Sequence, residues 1–492
     1  MITKTRLPFA LLSVFLFTGA SSNYGYHLVN DHGPQDLLSR YAVHVPMNTP
    51  YDAQKLATWL ERNGFDVAGS NWRKQYVEVI TSDRGIQYLK AKGLQGRTIQ
   101  KRTKQFDNTS IDPHYLNPDK VAAALQAMNR TFPALTRLEQ IGTSLEGRPI
   151  FALLISNTPQ KGDPKVWEKP TVIFDGMHHA REIMTPEIVV DVANQLLTGA
   201  NQGGFFGKIL DSVNVWVVPM LNVDGNNIVW TKDAWWRKNA HAESGTAYGV
   251  DLNRNYPFEW NKCNGSSGNK GNETYRGDKP ASEPETQALV GLAEAVQPTV
   301  SLSYHSYSEF VLFPFGCDGE LTGENALEEK IAHELADILP TDDGRSKYTP
   351  GAPWQILYSV DGDSMGFMFS EFGALAYTFE VNQEFQPSYA LVAPTLAKHR
   401  KAWSYVLNRM QTNLLKLKVL DARTGQITAA VIDISTIKHV RGEKPFRTNP
   451  AGNFFKILDP GAYSILATLP DGRKASLDLQ MNGPVEKVLT IN

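Results

Sequence analysis

Cysteine is nearly absent from this chain, whose 492 residues include only Cys263 and Cys317. Two cysteines exclude a disulfide-framework fold and a cluster built on several thiolates. Both lie in glycine-containing loop sequence, so they form one candidate disulfide, with two free thiols as the alternative. Excess charge is missing as well: the formal net charge is −2 and no basic stripe occurs, so nucleic acid is not expected as a partner. Long apolar runs are the third absence. The run at 7–17 is too short for a bilayer, and no later stretch approaches the ~20 apolar residues of a membrane helix, so no membrane span is expected.

What remains is ordinary globular composition, 42% hydrophobic and 20% charged, at a length that allows more than one domain. Lys4 and Arg6, the apolar run and the small residues Thr18-Gly19-Ala20 predict a signal peptide over 1–20. The mature chain is then expected to be secreted or periplasmic, an uncleaved anchor being the alternative.

Three parts follow along the chain. Over 21–104, alternation at 41–45 and 76–81 predicts strands, helical spacing at 52–63 and 84–92 predicts helices, and a strand is expected near 98–100, together a small α/β unit. It ends in the basic segment Lys101-Arg102-Thr103-Lys104, followed by a stretch without apolar periodicity. That combination suits a linker cut by an activating protease, or a merely solvated linker. Over 105–413, strand-like runs (150–155, 171–175, 213–220, 299–304, 376–379) alternate with helix-like ones (118–128, 186–197, 282–295, 324–338, 394–413). This predicts an α/β fold, a mixed central sheet with helices on both faces, whose active groups gather beyond strand ends. From 414 to 492, short alternating segments separated by Thr424-Gly425, Asp459-Pro460-Gly461 and Asp471-Gly472 predict a small all-β sandwich.

The chemistry concentrates just after the run 171–174. His179-Ala180-Arg181-Glu182 offers an imidazole and a carboxylate three residues apart, half of a zinc site, and His305 at the end of 299–304 can supply a third ligand. Alone, such a pair is weak. Around it, however, stand Asn222-Val223-Asp224-Gly225, Trp236-Arg237-Lys238, Asp251-Leu252-Asn253-Arg254-Asn255, His305-Ser306-Tyr307-Ser308 and Thr378-Phe379-Glu380. In that order the chain resembles the zinc metallocarboxypeptidases of the funnelin type (carboxypeptidase A/T-like) over about 111–412.

The resemblance implies one Zn2+ held by His179, Glu182 and His305, with His178 packing beside them. Asp251 would orient a zinc-bound imidazole, or else cap a turn. A carboxylate closing a buried strand is costly unless paired or used; by resemblance Glu380 is the general base. Arg237 would offset the developing oxyanion, with Lys238 a surface charge. Asn253, Arg254 and Tyr358 would grip the terminal carboxylate of peptide or protein C-termini, Arg181 and Tyr307 would line the neighbouring subsite, and Met365 is the pocket floor. Asp363 lies two residues earlier, with Gly316 and Thr378 as wall, so apolar and aromatic C-terminal residues are expected, basic ones secondarily. The N-terminal unit sits where the family carries an inhibitory pro-domain, and the sandwich is similar to transthyretin-like modules. The expected function is an exported zinc metallocarboxypeptidase. The alternatives are a metallopeptidase on peptidoglycan or γ-glutamyl cross-peptides and a silent peptide-binding module.

Overall fold

The computed structural model describes residues 38–101, 111–200, 204–243, 246–317, 319, 321–440 and 442–492. The expected signal peptide, and Arg102, Thr103 and Lys104 of the basic segment, lie outside the described residues.

The first unit is a four-stranded antiparallel sheet in the order β2-β3-β1-β4, with β1 at Leu38–His44, β2 at Asp66–Asn71, β3 at Tyr76–Ser82 and β4 at Gln95–Lys101. Two helices, Pro50–Arg62 and Asp83–Ala91, accompany it. Thr49 starts the first: its hydroxyl accepts from Asp52 N at 3.3 Å while Asp52 Oδ2 accepts from Thr49 N at 3.0 Å, and Pro50 occupies the first helical position. The buried stripe Ala53, Ala57 and Leu60 packs with Val43, Val77 and Val79, and this apolar cluster runs on without a break into the core of the central unit. Strand β2 has no counterpart in the sequence reading. Asp66-Val67-Ala68-Gly69-Ser70-Asn71 is poor in strand formers, and a register shift between Val67 and Gly69 interrupts it.

The central sheet has eight strands in the order β13-β12-β14-β11-β7-β8-β6-β5. β5 is Thr136–Thr143, β6 Pro149–Ile155, β7 Thr171–Gly176 and β8 Asn214–Val218; a two-residue hairpin, β9 (Ala242–Glu243) with β10 (Thr246–Ala247), lies outside the sheet. β11 is Val300–Ser306, β12 Phe310–Leu312, β13 Thr349–Gly351 and β14 Leu375–Val381. The middle four, β14, β11, β7 and β8, are parallel, and antiparallel pairs flank them. Such strands are covered on both faces, which is why 171–174 is continuously apolar rather than alternating. The helix Thr185–Ala200 packs on β7, β8 and β11, Val392–Thr412 packs on that helix, and Ser364–Phe372 packs on β14 and β11. The fold class is therefore the mixed, helix-covered sheet expected.

The last segment forms two small sheets, one around β15 (Leu414–Asp421) with β16 (Gln426–Ile427), β19 (Asn453–Ile457) and β22 (Val485–Ile491), the other in the order β18-β17-β20-β21. In the second, β17 is Val431–Ile434, β18 Phe446–Arg447, β20 Gly461–Thr468 and β21 Lys474–Met481. Leu415, Leu417 and Val419 alternate inward and meet Ile432, Ile434 and Ile465 in a core separate from the larger one. Charge pairing holds this piece to the central unit. Lys456, buried, bonds Glu324 and donates to Gly373 O at 2.7 Å, and Asp459 accepts from Lys330 at 2.6 Å and from Arg409.

Removing one member of a buried pair strands the other as a buried charge, which costs about 3–5 kcal/mol. Lys456→Met is therefore expected to lower stability by about that much in chemical denaturation, while Lys456→Met with Glu324→Leu recovers most of the loss. Equal losses in both variants would assign the effect to packing alone.

Candidate active site

The loop leaving β7 is held tightly. Gly176 sits where a Cβ would come within 3.3 Å of Pro219 O and the Thr185 side chain, and Met177 takes a positive φ of 62°. Thr185 Oγ1 accepts from Met177 N at 3.0 Å and donates to Glu182 O at 2.9 Å, so the loop 177–184 is pinned to the start of the following helix. This fixes His179 and Glu182. His305 is the penultimate residue of β11, and the parallel register puts Glu380 of β14 directly beside it.

His179 Nδ1 lies 2.7 Å from Glu182 Oε1 and 3.2 Å from His305 Nδ1, and His305 Nδ1 is 3.2 Å from Glu182 Oε2. One ligand atom from each residue fits within a 4.8 Å span, and all three side chains are buried. On the far side of the ring, His179 Nε2 faces Asp251 Oδ1 at 3.1 Å. Burial pushes the Asp251 carboxyl up, but Arg237, His179 and Arg254 outweigh it and hold the group well below the usual carboxylate range. The ionised Asp251 is an acceptor for an Nε2–H of His179, and Nδ1 on the other side of the ring faces the Glu182 carboxylate. Burial likewise opposes ionisation of Glu182, and the two imidazoles more than offset it. Two imidazole nitrogens and one carboxylate converging at these distances are a donor set that suits zinc. The three residues are thus positioned for a metal ion.

The surrounding side chains share one small cavity, lined by His179, Glu182, Arg237, Asn253, Arg254, Tyr307, Tyr358, Asp363, Met365 and Glu380. Arg237 forks onto Asp251 Oδ2 through Nε at 3.2 Å and Nη2 at 2.8 Å; burial works against its charge, and Asp251 reverses that and raises its pKa. Arg254 donates to Gly265 O at 2.9 Å and to Asn253 O at 2.7 Å, and stands over the Tyr358 ring at 5.9 Å. The Asn253 side-chain Oδ1 accepts from Ser364 N at 2.9 Å. Burial and the nearby Glu182 push the Glu380 carboxyl well above the usual range, against the pull of Arg237 and Arg254. Asp363 caps the helix Ser364–Phe372, with Oδ1 accepting from Gly366 N at 2.8 Å, so only its other oxygen, turned towards Gly316, is open to the pocket, which Thr378 also lines. The disulfide Cys263–Cys317 joins the loop that carries Gly265 to the irregular segment after β12 that carries Gly316.

Three placements differ from, or add to, the sequence reading. Lys238 is not a surface charge: it is buried, and its ammonium donates to Lys270 O at 3.0 Å and Asn272 O at 2.7 Å. His178 stacks on His305 with ring centroids 5.2 Å apart and meets the Tyr256 hydroxyl at 2.8 Å. Arg181 is buried outside the cavity, gripped by Asp66 of β2 through contacts of 2.6 and 2.8 Å. Val67 and Ala68 of the same strand line the cavity, which keeps only about 40 Å³ of open space. A Cβ on Gly69 would fall 2.5 Å from the Tyr307 ring, so glycine is what lets β2 lie this close. Nothing in 66–69 marks these residues as part of a site, since their role depends on pairing with β3.

The family model described as zinc carboxypeptidase matches residues 121–402. Among curated proteins, the chain is 32% identical over 247 residues to a metallocarboxypeptidase A-like protein of Trichophyton verrucosum, covering 49% of this chain and 56% of that one. It is 32% identical over 289 residues to carboxypeptidase B of Rattus norvegicus, covering 56% and 66%. The chain thus spans between about half and two thirds of the length of these relatives. Among solved structures, carboxypeptidase A from Helicoverpa armigera superposes with a TM-score of 0.64 at 22% identity, over 77% of this chain and 98% of that one. Thrombin activatable fibrinolysis inhibitor gives 0.62 at 21% identity, over 76% and 99%. At these identities the structural likeness establishes the fold.

An acceptor that orients a metal-bound imidazole typically contributes 10–100-fold in affinity. Asp251→Asn is expected to weaken zinc binding by roughly that factor in competition with a chromogenic chelator. An unchanged affinity would remove Asp251 as the orienting group.

Proposed function

Because the chain belongs to the zinc carboxypeptidase family, we propose that it is an exported zinc metallocarboxypeptidase that removes single residues from the C-termini of peptides and proteins. The observation that carries this reading is the convergence of His179, Glu182 and His305 with Glu380 and Arg254 around one cavity. Zinc held by the first three would polarise the scissile carbonyl and acidify a water molecule.

Glu380 takes the proton of the attacking water and returns it to the leaving amine. Burial makes Glu380 a stronger base than a solvated carboxylate, while Arg237 and Arg254 favour the ionised form that accepts the proton. Arg237, kept charged by Asp251, offsets the negative charge that develops on the carbonyl oxygen. Arg254 binds the terminal carboxylate with Asn253, and Tyr358, beside the guanidinium, closes over it. Met365 and the one open oxygen of Asp363 favour apolar and aromatic C-terminal residues, with basic ones accepted secondarily. A terminal-carboxylate clamp separates this reading from cleavage of cross-peptides, and an intact ligand set with Glu380 separates it from a silent binding module.

In the form described, the N-terminal unit holds the enzyme inactive. Asp66 occupies Arg181 as an anionic substrate group would, and Val67 and Ala68 fill the cleft. Cutting near Lys101 to Lys104 by an activating protease would allow that unit to leave. No helix among the described residues is long and apolar enough to cross a membrane.

The reading is tested by release of free amino acids from blocked dipeptides ending in Phe, Leu, Lys, Arg or Glu, with and without a chelator, before and after limited proteolysis near Lys101. Chelator-sensitive release of one residue, increased by the nick, is expected; no release in either form with zinc bound would sink it. Glu380→Gln should keep zinc and lose about 10²–10⁴ in turnover. Arg254→Ala should impair free-carboxylate substrates far more than C-terminal amides, and equal losses would refute the clamp.

A further inference from the structure

A second cavity, of about 280 Å³, opens where the C-terminal sandwich meets the central unit. Trp167, the turn at Gln297 and the helix end Glu371-Phe372 line it from one side, and Lys444, Arg447 and Phe455 from the other. Neither part forms it alone. It is also remote from the active site: Thr299, in its wall, precedes β11, whereas His305 lies near that strand's far end. Seven strand residues at about 3.3 Å each set the two sites roughly 20 Å apart.

The lining has three kinds of chemistry. Lys444 and Arg447 are exposed cations with no ion-pair partner among the described residues, and Glu371 is a half-buried carboxylate equally without one. Trp167, Phe372 and Phe455 are half-buried aromatic rings. A third cation, Lys169, is already engaged by Ser156, Asn157 and Leu210 O and is not available to a ligand. The volume is near the lower end of the roughly 300–1,000 Å³ of small-molecule clefts, which suits one compact molecule.

We propose that this cavity is a second ligand site, for a free amino acid with an aromatic or large apolar side chain. The α-carboxylate meets Arg447 and Lys444, the α-ammonium meets Glu371, and the side chain lies among the three rings. A simple anion leaves Glu371 uncompensated, and a neutral apolar molecule leaves all three charges unused. The link to the reaction rests on the reading above, since hydrolysis would release such a molecule; the binding itself does not.

The test is titration of the full chain with L-phenylalanine in an Arg254→Ala background, where the active site no longer competes for the carboxylate. One saturable site is expected. Arg447→Ala or Glu371→Gln, both away from the cores, should each weaken it roughly tenfold or more, as should replacing the probe by phenethylamine or 3-phenylpropionate. No saturation up to the solubility of the amino acid, affinity indifferent to both substitutions, or 3-phenylpropionate binding as tightly as phenylalanine would each overturn the proposal. Loss of hydrolysis in the wild-type chain would bear on the enzyme reading and leave this result standing.

Discussion

The carboxylate of Asp251 is the point from which the rest of the site takes its geometry. It is fully buried, yet its two oxygens receive His179 Nε2, both donors of the Arg237 fork and the backbone N of Asn253 at 2.9 Å. An ionised carboxylate in that environment is tolerable only when so surrounded, and the surrounding groups are thereby held in place. One interaction therefore sets the orientation of the His179 ring, the aim of Arg237 and the start of the short turn Leu252–Arg254 that carries the proposed clamp. The candidate metal site and the proposed clamp, whose members lie far apart in sequence, share an origin of coordinates.

The second constraint is the parallel pairing of β11 with β14, which sets His305 beside Glu380. These strands were the most legible part of the chain. The apolar runs at 171–175, 299–304 and 376–379 fall on β7, β11 and β14 within a residue or two at each end, because strands buried on both faces need continuous apolar sequence. The N-terminal helices were legible for a different reason: their apolar spacing is a local signal, whereas their caps, Thr49 and Ser82, went unread.

What escaped was whatever depends on partners distant in the chain. β2 is a strand because β3 pairs with it, not because Asp66-Val67-Ala68-Gly69 favours extended backbone. Lys238 is buried because carbonyls more than 30 residues later turn towards its ammonium. The motif around Arg181 could suggest a substrate contact, but the carboxylate that grips it lies 115 residues earlier. The short strands β12 and β13, three residues each, are likewise products of their neighbours.

The way β2 enters the cleft has a kinetic consequence. Its cleft-facing residues belong to a strand paired with β3, in a sheet packed by the helix Pro50–Arg62. On the proposed reading, the N-terminal unit would leave the cleft as one body. If the connecting chain is cut as proposed, that departure would become a bimolecular equilibrium governed by mass action. Dilution would then free the cleft, crowding the two pieces together would close it again, and the time course of unmasking would follow the dissociation rate of a protein complex rather than the rate of the cut.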